Sequence, residues 1–139
     1  MSSKIASRCL TVAGVATAGM GLYHFFLPTM FHWDHFLDAV PAPVHWGAIF
    51  LNLSFSALLV WGGALTVLVA RRRRDRIARA IVIGLGGYWL FNAIYQIASP
   101  LPVPSELAYV DWLLLGFASA VTALYAIALA IDLRPATSD

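Results

Sequence analysis

The side chains able to do chemistry are gathered rather than spread. Three of the four histidines, His24, His32 and His35, fall inside Tyr23–Phe36, YHFFLPTMFHWDHF, and the fourth is His45. Imidazole and carboxylate ligate zinc or copper, and HWDH would set His32 and His35, with Asp34 between them, on one face if that stretch were helical. A structural zinc site needs a full tetrahedral ligand set, and the single cysteine, Cys9, lies far away in the sequence. Solvated loop histidines are therefore the preferred reading, and no metal is expected. His24 and His45 border successive apolar runs, so they are the pair that could ligate a b-type haem or carry protons. No C-x-x-C-H attachment motif is present. A histidine with Asp111 would make an acid–base pair. No G-x-S-x-G, H-E-x-x-H or phosphate-binding glycine loop occurs, and GLGG at Gly84–Gly87 sits inside an apolar run.

The elements that must position these groups are membrane helices. Hydrophobic residues make up 60% of the 139, charged residues 12%, and mean hydropathy is +0.77. A soluble domain is much richer in charge. Four runs reach the roughly 20 residues that cross a hydrocarbon core: 9–27, 46–70, 80–98 and 112–131. The expected fold is all-α, a transmembrane four-helix bundle formed by one membrane domain over residues 1–139. Glycine and alanine inside the runs (Gly14 with Ala18, Gly62–Gly63, Gly84 with Gly86–Gly87) predict close helix approach. Lys4 and Arg8 ahead of LTVAGVATA resemble a signal peptide cut near Ala18. The apolar run continues to Leu27, so an uncleaved anchor is expected.

Charge sets the expected orientation. Arg71, Arg72, Arg73, Arg74, Arg76 and Arg79 lie between the second and third runs, Lys4 and Arg8 precede the first, and Arg134 follows the last. Neither of the other two connections, 28–44 and 99–109, contains Lys or Arg. Under the positive-inside rule both termini and the arginine connection are cytoplasmic, and the histidine connection faces outward. The arginines read first as a topology anchor, with anionic lipid as the further possibility. So short a basic run, flanked by membrane segments, does not predict nucleic-acid binding.

Polar residues inside the runs then carry the most information, because lipid penalises them. Thr17, Gly21 and His24 share a face, as do His45, Asn52 and Ser56, and Tyr88, Asn92 and Gln96. At 1.5 Å rise per residue, Asn52 lies about 10 Å beyond His45 and Asn92 about 12 Å before Pro100. His24, His45, Asn52, Asn92, Gln96 and Asp111 thus all fall in the outward half. The other half is expected to consist of Ala, Gly, Val, Leu and Ile. Trp33, Trp46 and Trp112 suit an interfacial belt.

GLYHFFLPTMF (Gly21–Phe31), VPAP (Val40–Pro43) and RIARA (Arg76–Ala80) resemble elements of DoxX-like small membrane proteins, across roughly the first 80 residues and the four-span layout. The resemblance maps His24, Pro28 and Phe31 onto the H-F-x-x-P-x-x-F element and implies four helices. That group takes its name from a subunit associated with quinone-linked sulfur oxidation. Its members often carry Ser-Gly and Glu in the second helix, where this chain has FLNLSFSALL (Phe50–Leu59) and no carboxylate.

The functional expectation is a multi-pass protein of the bacterial inner membrane, non-catalytic or an accessory subunit, in contact with the lipid bilayer. An outward polar pocket of His24, His45, Asn52, Asn92, Gln96 and Asp111 would take a small amphipathic ligand, a quinone or a lipid. A membrane-protein partner or a second copy of the chain is the further contact expected. The alternative is a redox enzyme or subunit using His24 and His45 as proton carriers or haem b ligands. A transporter is disfavoured, since the cytoplasmic half offers no polar path.

Overall fold

Lipid offers the backbone no hydrogen-bond partner, so each apolar run must close its own bonds as a helix. The computed structural model describes residues 2–72, 75–102 and 104–132. Its helices are α1 (Ser2–Met30), α2 (Trp33–Leu37), α3 (Ala42–Val69), α4 (Arg76–Ala98) and α5 (Ala108–Asp132), with a 3-10 turn at Ser105–Leu107. No strand occurs among the described residues, and the fold is all-α. Among the described residues, four stretches are long and apolar enough to cross a membrane: Lys4–Met30, Ala42–Val69, Arg76–Ala98 and Ser105–Ile131. The chain is therefore a small multi-pass membrane protein in contact with the bilayer. Arg73, Arg74 and Arg134 lie outside the described residues.

The helices overrun the expected spans because an apolar run ends where the hydrocarbon ends, whereas a helix continues until something stops it. Pro41 precedes α3, with Pro43 in its first turn, where the missing N–H is harmless. Asp75 caps α4, its Oδ1 accepting from the Ile77 N–H at 2.8 Å. Pro28 does not end α1, which runs two residues further to Met30. A proline inside a helix leaves the carbonyl four residues earlier without its donor. Here that carbonyl belongs to His24, and the side chain of Asn52 on α3 supplies the donor, Nδ2 to O, at 2.9 Å.

The four long helices run up and down. α1 packs on α3 and α5, α4 packs on α5, and α3 touches α4 only sparsely. The α1–α3 seam is made by small residues, which lets van der Waals contact replace the hydrophobic drive that lipid removes. A Cβ on Gly14 would stand 2.7 Å from the Gly63 carbonyl oxygen; one on Gly21 would stand 2.7 Å from the Ser56 carbonyl oxygen and 2.7 Å from the Val60 nitrogen. A Cβ on Gly63 would collide with the backbone of Gly14 and Ala18. The glycines of α4 behave differently from expectation. Only Gly86 meets a neighbour, Tyr125, whereas Gly84 and Gly87 face open space. Their helix stands away from α3, and an apolar groove of about 490 Å³ lined by Leu58, Trp61 and Gly84 lies between them.

Burial is uneven along the bundle. Toward the end that carries the arginine connection, Ala6, Leu10, Ala13, Thr66, Ala70, Val121, Tyr125 and Ala128 are buried. Toward the histidine end, no residue of α1 beyond Gly21 is buried, and α5 has no buried residue before Ala118. The arginine half is not purely aliphatic. Thr66 donates to the Gly62 carbonyl at 2.9 Å, which uses its one proton, so Tyr125 donates its hydroxyl to Thr66 Oγ1 at 3.0 Å.

Candidate functional site

The loosening at the histidine end leaves a cavity of about 200 Å³ among α1, α3, α4 and α5. Its wall is an arc of rings. His24 meets Phe55 edge-on at 5.4 Å between centroids, Phe55 meets Tyr88 at 5.8 Å, Tyr88 meets Trp89 at 5.3 Å, and Trp89 meets Phe117 at 5.4 Å. One ring thus comes from α1, one from α3, two from α4 and one from α5. Edge-to-face pairs of this kind contribute about 0.5–1.5 kcal/mol beyond the area they bury. Trp89 is further fixed by its indole N–H, which donates at 2.9 Å to Thr17 Oγ1. Thr17 in turn donates to the Ala13 carbonyl at 2.8 Å. The arc was not legible in sequence, where Phe55, Trp89 and Phe117 look like ordinary lipid-phase residues.

Three of the six expected polar residues line this cavity: His24, Asn92 and Gln96. The spacing of Tyr88, Asn92 and Gln96 does put all three on one wall. Gln96 Nε2 donates to Asn92 Oδ1 at 2.6 Å, and Gln96 Oε1 is buried with no partner among the described residues. His24 Nδ1 lies 2.9 Å from the Met20 carbonyl oxygen. A carbonyl only accepts, so Nδ1 carries the proton in the neutral ring and Nε2 is left as an acceptor.

The other three residues go elsewhere. Asn52 stands behind the wall, spent on the His24 carbonyl, with Ser56 Oγ donating to the Asn52 carbonyl at 2.6 Å. Asp111, in the first turn of α5, accepts from the Leu101 N–H at 3.1 Å. Since Leu101 and Ser99 line the cavity, Asp111 ties down the connection across its mouth. His45 opens into a second, shallower groove of about 660 Å³, with Pro28, Thr29, His32, Asp34 and Trp46. His24 and His45 therefore line different spaces.

The HWDH stretch also departs from its helical alternative. His32 adopts a left-handed conformation, φ 48° and ψ 49°, just ahead of α2, so His32 and His35 are not successive turns of one helix. His35 packs on Phe36, while His45 Nε2 lies 3.9 Å from Asp34 Oδ1. Among the described residues no three His, Cys, Asp or Glu side chains form a group able to hold a metal ion. Of the connecting arginines, Arg71, Arg72 and Arg76 are exposed and Arg79 is half-buried.

Comparison of the chain with known protein families, curated proteins and solved structures finds no match.

Proposed function

We propose that this membrane protein binds a small amphipathic molecule, a quinone or a lipid headgroup region, in the cavity at its histidine end, and that it acts as a non-catalytic or accessory subunit. The observation that carries the reading is the one-sidedness of the bundle. A space walled by rings and lined by His24, Asn92 and Gln96 lies in one half, while in the other half α1 and α3 close to backbone contact and the groove between α3 and α4 is apolar. An apolar cavity with a few convergent polar groups is the usual form of a small-molecule site. At about 200 Å³ this one suits a ring or a headgroup rather than a whole lipid, whose tail would lie among the helices or in the bilayer. The histidine end faces outward across a bacterial inner membrane and the arginines face the cytoplasm, in keeping with the positive-inside rule. The resemblance to DoxX-like proteins agrees with such a subunit.

Native mass spectrometry of protein purified in mild detergent tests the reading. Retention of a small molecule by the wild type, lost in the cavity-filling variant Leu114→Trp, supports it. A wild type carrying nothing overturns it. A Soret band abolished by His24→Ala would replace it with haem ligation. A membrane-impermeant maleimide checks orientation: in a Cys9→Ser background, Asp38→Cys should label in intact cells and Arg72→Cys should not.

A further inference from the structure

The apolar groove between α3 and α4 ends at the densest charge in the protein. Leu58, Trp61 and Leu65 on successive turns form its α3 wall, and Ile81 and Gly84 stand on its α4 wall. The connection that joins these two helices, between Val69 and Arg76, crosses one end of the groove. In sequence Arg71–Arg79, RRRRDRIAR, holds six arginines and one aspartate, and Asp75 is spent on capping α4. Arg71, Arg72 and Arg76 are exposed. Ile81 follows Arg76 by five residues, about 7.5 Å at helical rise. The next turn of each wall toward the arginines presents Leu68 and Ile77, both apolar and exposed.

We propose that this groove seats one anionic phospholipid of the leaflet on the arginine side, its acyl chain between Trp61 and Gly84 and its phosphate on the arginine connection. An apolar slot leading to a basic end matches the two parts of such a lipid, and basic sites between membrane helices are a recurrent form of anionic-lipid recognition. Gly84 keeps the slot open, since a Cβ there meets nothing within 4 Å. A helix is a poorer occupant. Helices associate in lipid through small residues that let backbones approach, whereas the α3 wall raises the exposed side chains of Leu58, Trp61 and Leu68. A second copy docked symmetrically on the same groove would also bring two arginine connections together, where like charges repel. A flexible chain meets neither obstacle. Phe55, Leu59 and Tyr88 line both this groove and the cavity at the histidine end, so they form a partition between the two spaces. A lipid in one is told from a ligand in the other by which filling variant displaces it.

The test is native mass spectrometry of the protein in detergent equilibrated with equimolar phosphatidylglycerol and phosphatidylcholine of identical chains. One bound phosphatidylglycerol is expected, at least fivefold over phosphatidylcholine. Gly84→Leu, which fills the groove, should lower that adduct at least fivefold with the thermal transition unchanged; Ile81→Trp is the second groove-filling variant if Gly84→Leu does not fold. Arg71→Gln, Arg72→Gln and Arg76→Gln together should reduce the preference at least twofold, with Arg73, Arg74 and Arg79 left to hold topology. Leu114→Trp, in the histidine-end cavity, should leave the adduct in place. Equal binding of the two lipids by the wild type overturns the inference. A preference that survives groove filling is adsorption to the arginines alone and overturns it as well. A wild-type dimer that Gly84→Leu dissociates makes a second copy the occupant, again overturning it. Loss of the adduct in Leu114→Trp but not in Gly84→Leu moves the lipid to the cavity, which overturns this inference and supports the ligand reading above.

Discussion

The same pair of helices, α1 and α3, meets in two different ways. In the arginine half, Gly14 and Gly63 bring the backbones into contact, and no side chain intervenes. In the histidine half the contact is polar: Asn52 reaches across to the carbonyl that Pro28 leaves open. The first arrangement closes the bundle. The second joins the helices through a side chain that stands behind the cavity wall. Where Gly14 and Gly63 meet, lipid-phase packing is tight and carries no chemistry. Where Asn, His and Gln are used, the packing is looser and polar atoms reach the interior.

Breaking the tight half should have the largest effect. Gly63→Leu forces a side chain into the backbone of α1, an overpacking cost of about 3 kcal/mol. The variant should lose most of its cooperative thermal transition in detergent. Gly84→Ala is the matching control, since a Cβ there meets nothing within 4 Å. Its melting temperature should stay level or rise slightly, as alanine is the better helix former.

The polar half can be broken and repaired. Asn52→Leu leaves the part-buried His24 carbonyl without a donor and should cost about 1–2 kcal/mol. In a Pro28→Ala background the restored N–H at position 28 satisfies that carbonyl within α1, so the same Asn52→Leu change should cost close to nothing. A double-mutant cycle of thermal stability measures the difference. If the two losses simply add, the Asn52 bond does not compensate the proline.

Two smaller effects sharpen the contrast. Tyr125→Phe removes the donor to Thr66 in the arginine half and should cost about 0.6 kcal/mol, typical of a single interhelical hydrogen bond in lipid. Asp111→Ala frees the Leu101 N–H at the mouth of the cavity. Its effect on stability should stay within about 0.5 kcal/mol, while amide exchange at Leu101 and Ser99 should quicken. A shift as large as that of Tyr125→Phe would show that the connection, and not the helices, holds the histidine end together.

Much of this protein was determined by its sequence alone. Hydropathy dictated four long helices, because a backbone in lipid has no alternative, and the placement of arginine marked one end as different from the other. The i, i+4, i+8 spacing of Tyr88, Asn92 and Gln96 put them on one face, since helical periodicity is a local property. What local patterns could not decide was which faces meet. Asn52 and His24 look alike in sequence as outward polar residues, yet one repairs a backbone defect and the other lines a cavity. His45 and Asp111 share their depth but belong to a separate groove and a loop tie. Gly14, Gly21 and Gly63 are in contact across α1 and α3, whereas Gly19, Gly84 and Gly87 meet nothing, although each is an apolar-helix glycine. Phe55, Trp89 and Phe117 became a single wall only when α3, α4 and α5 were brought around α1. Partner choice depends on the relative rotation and separation of whole helices, set by every contact along them at once, and no stretch of sequence contains it.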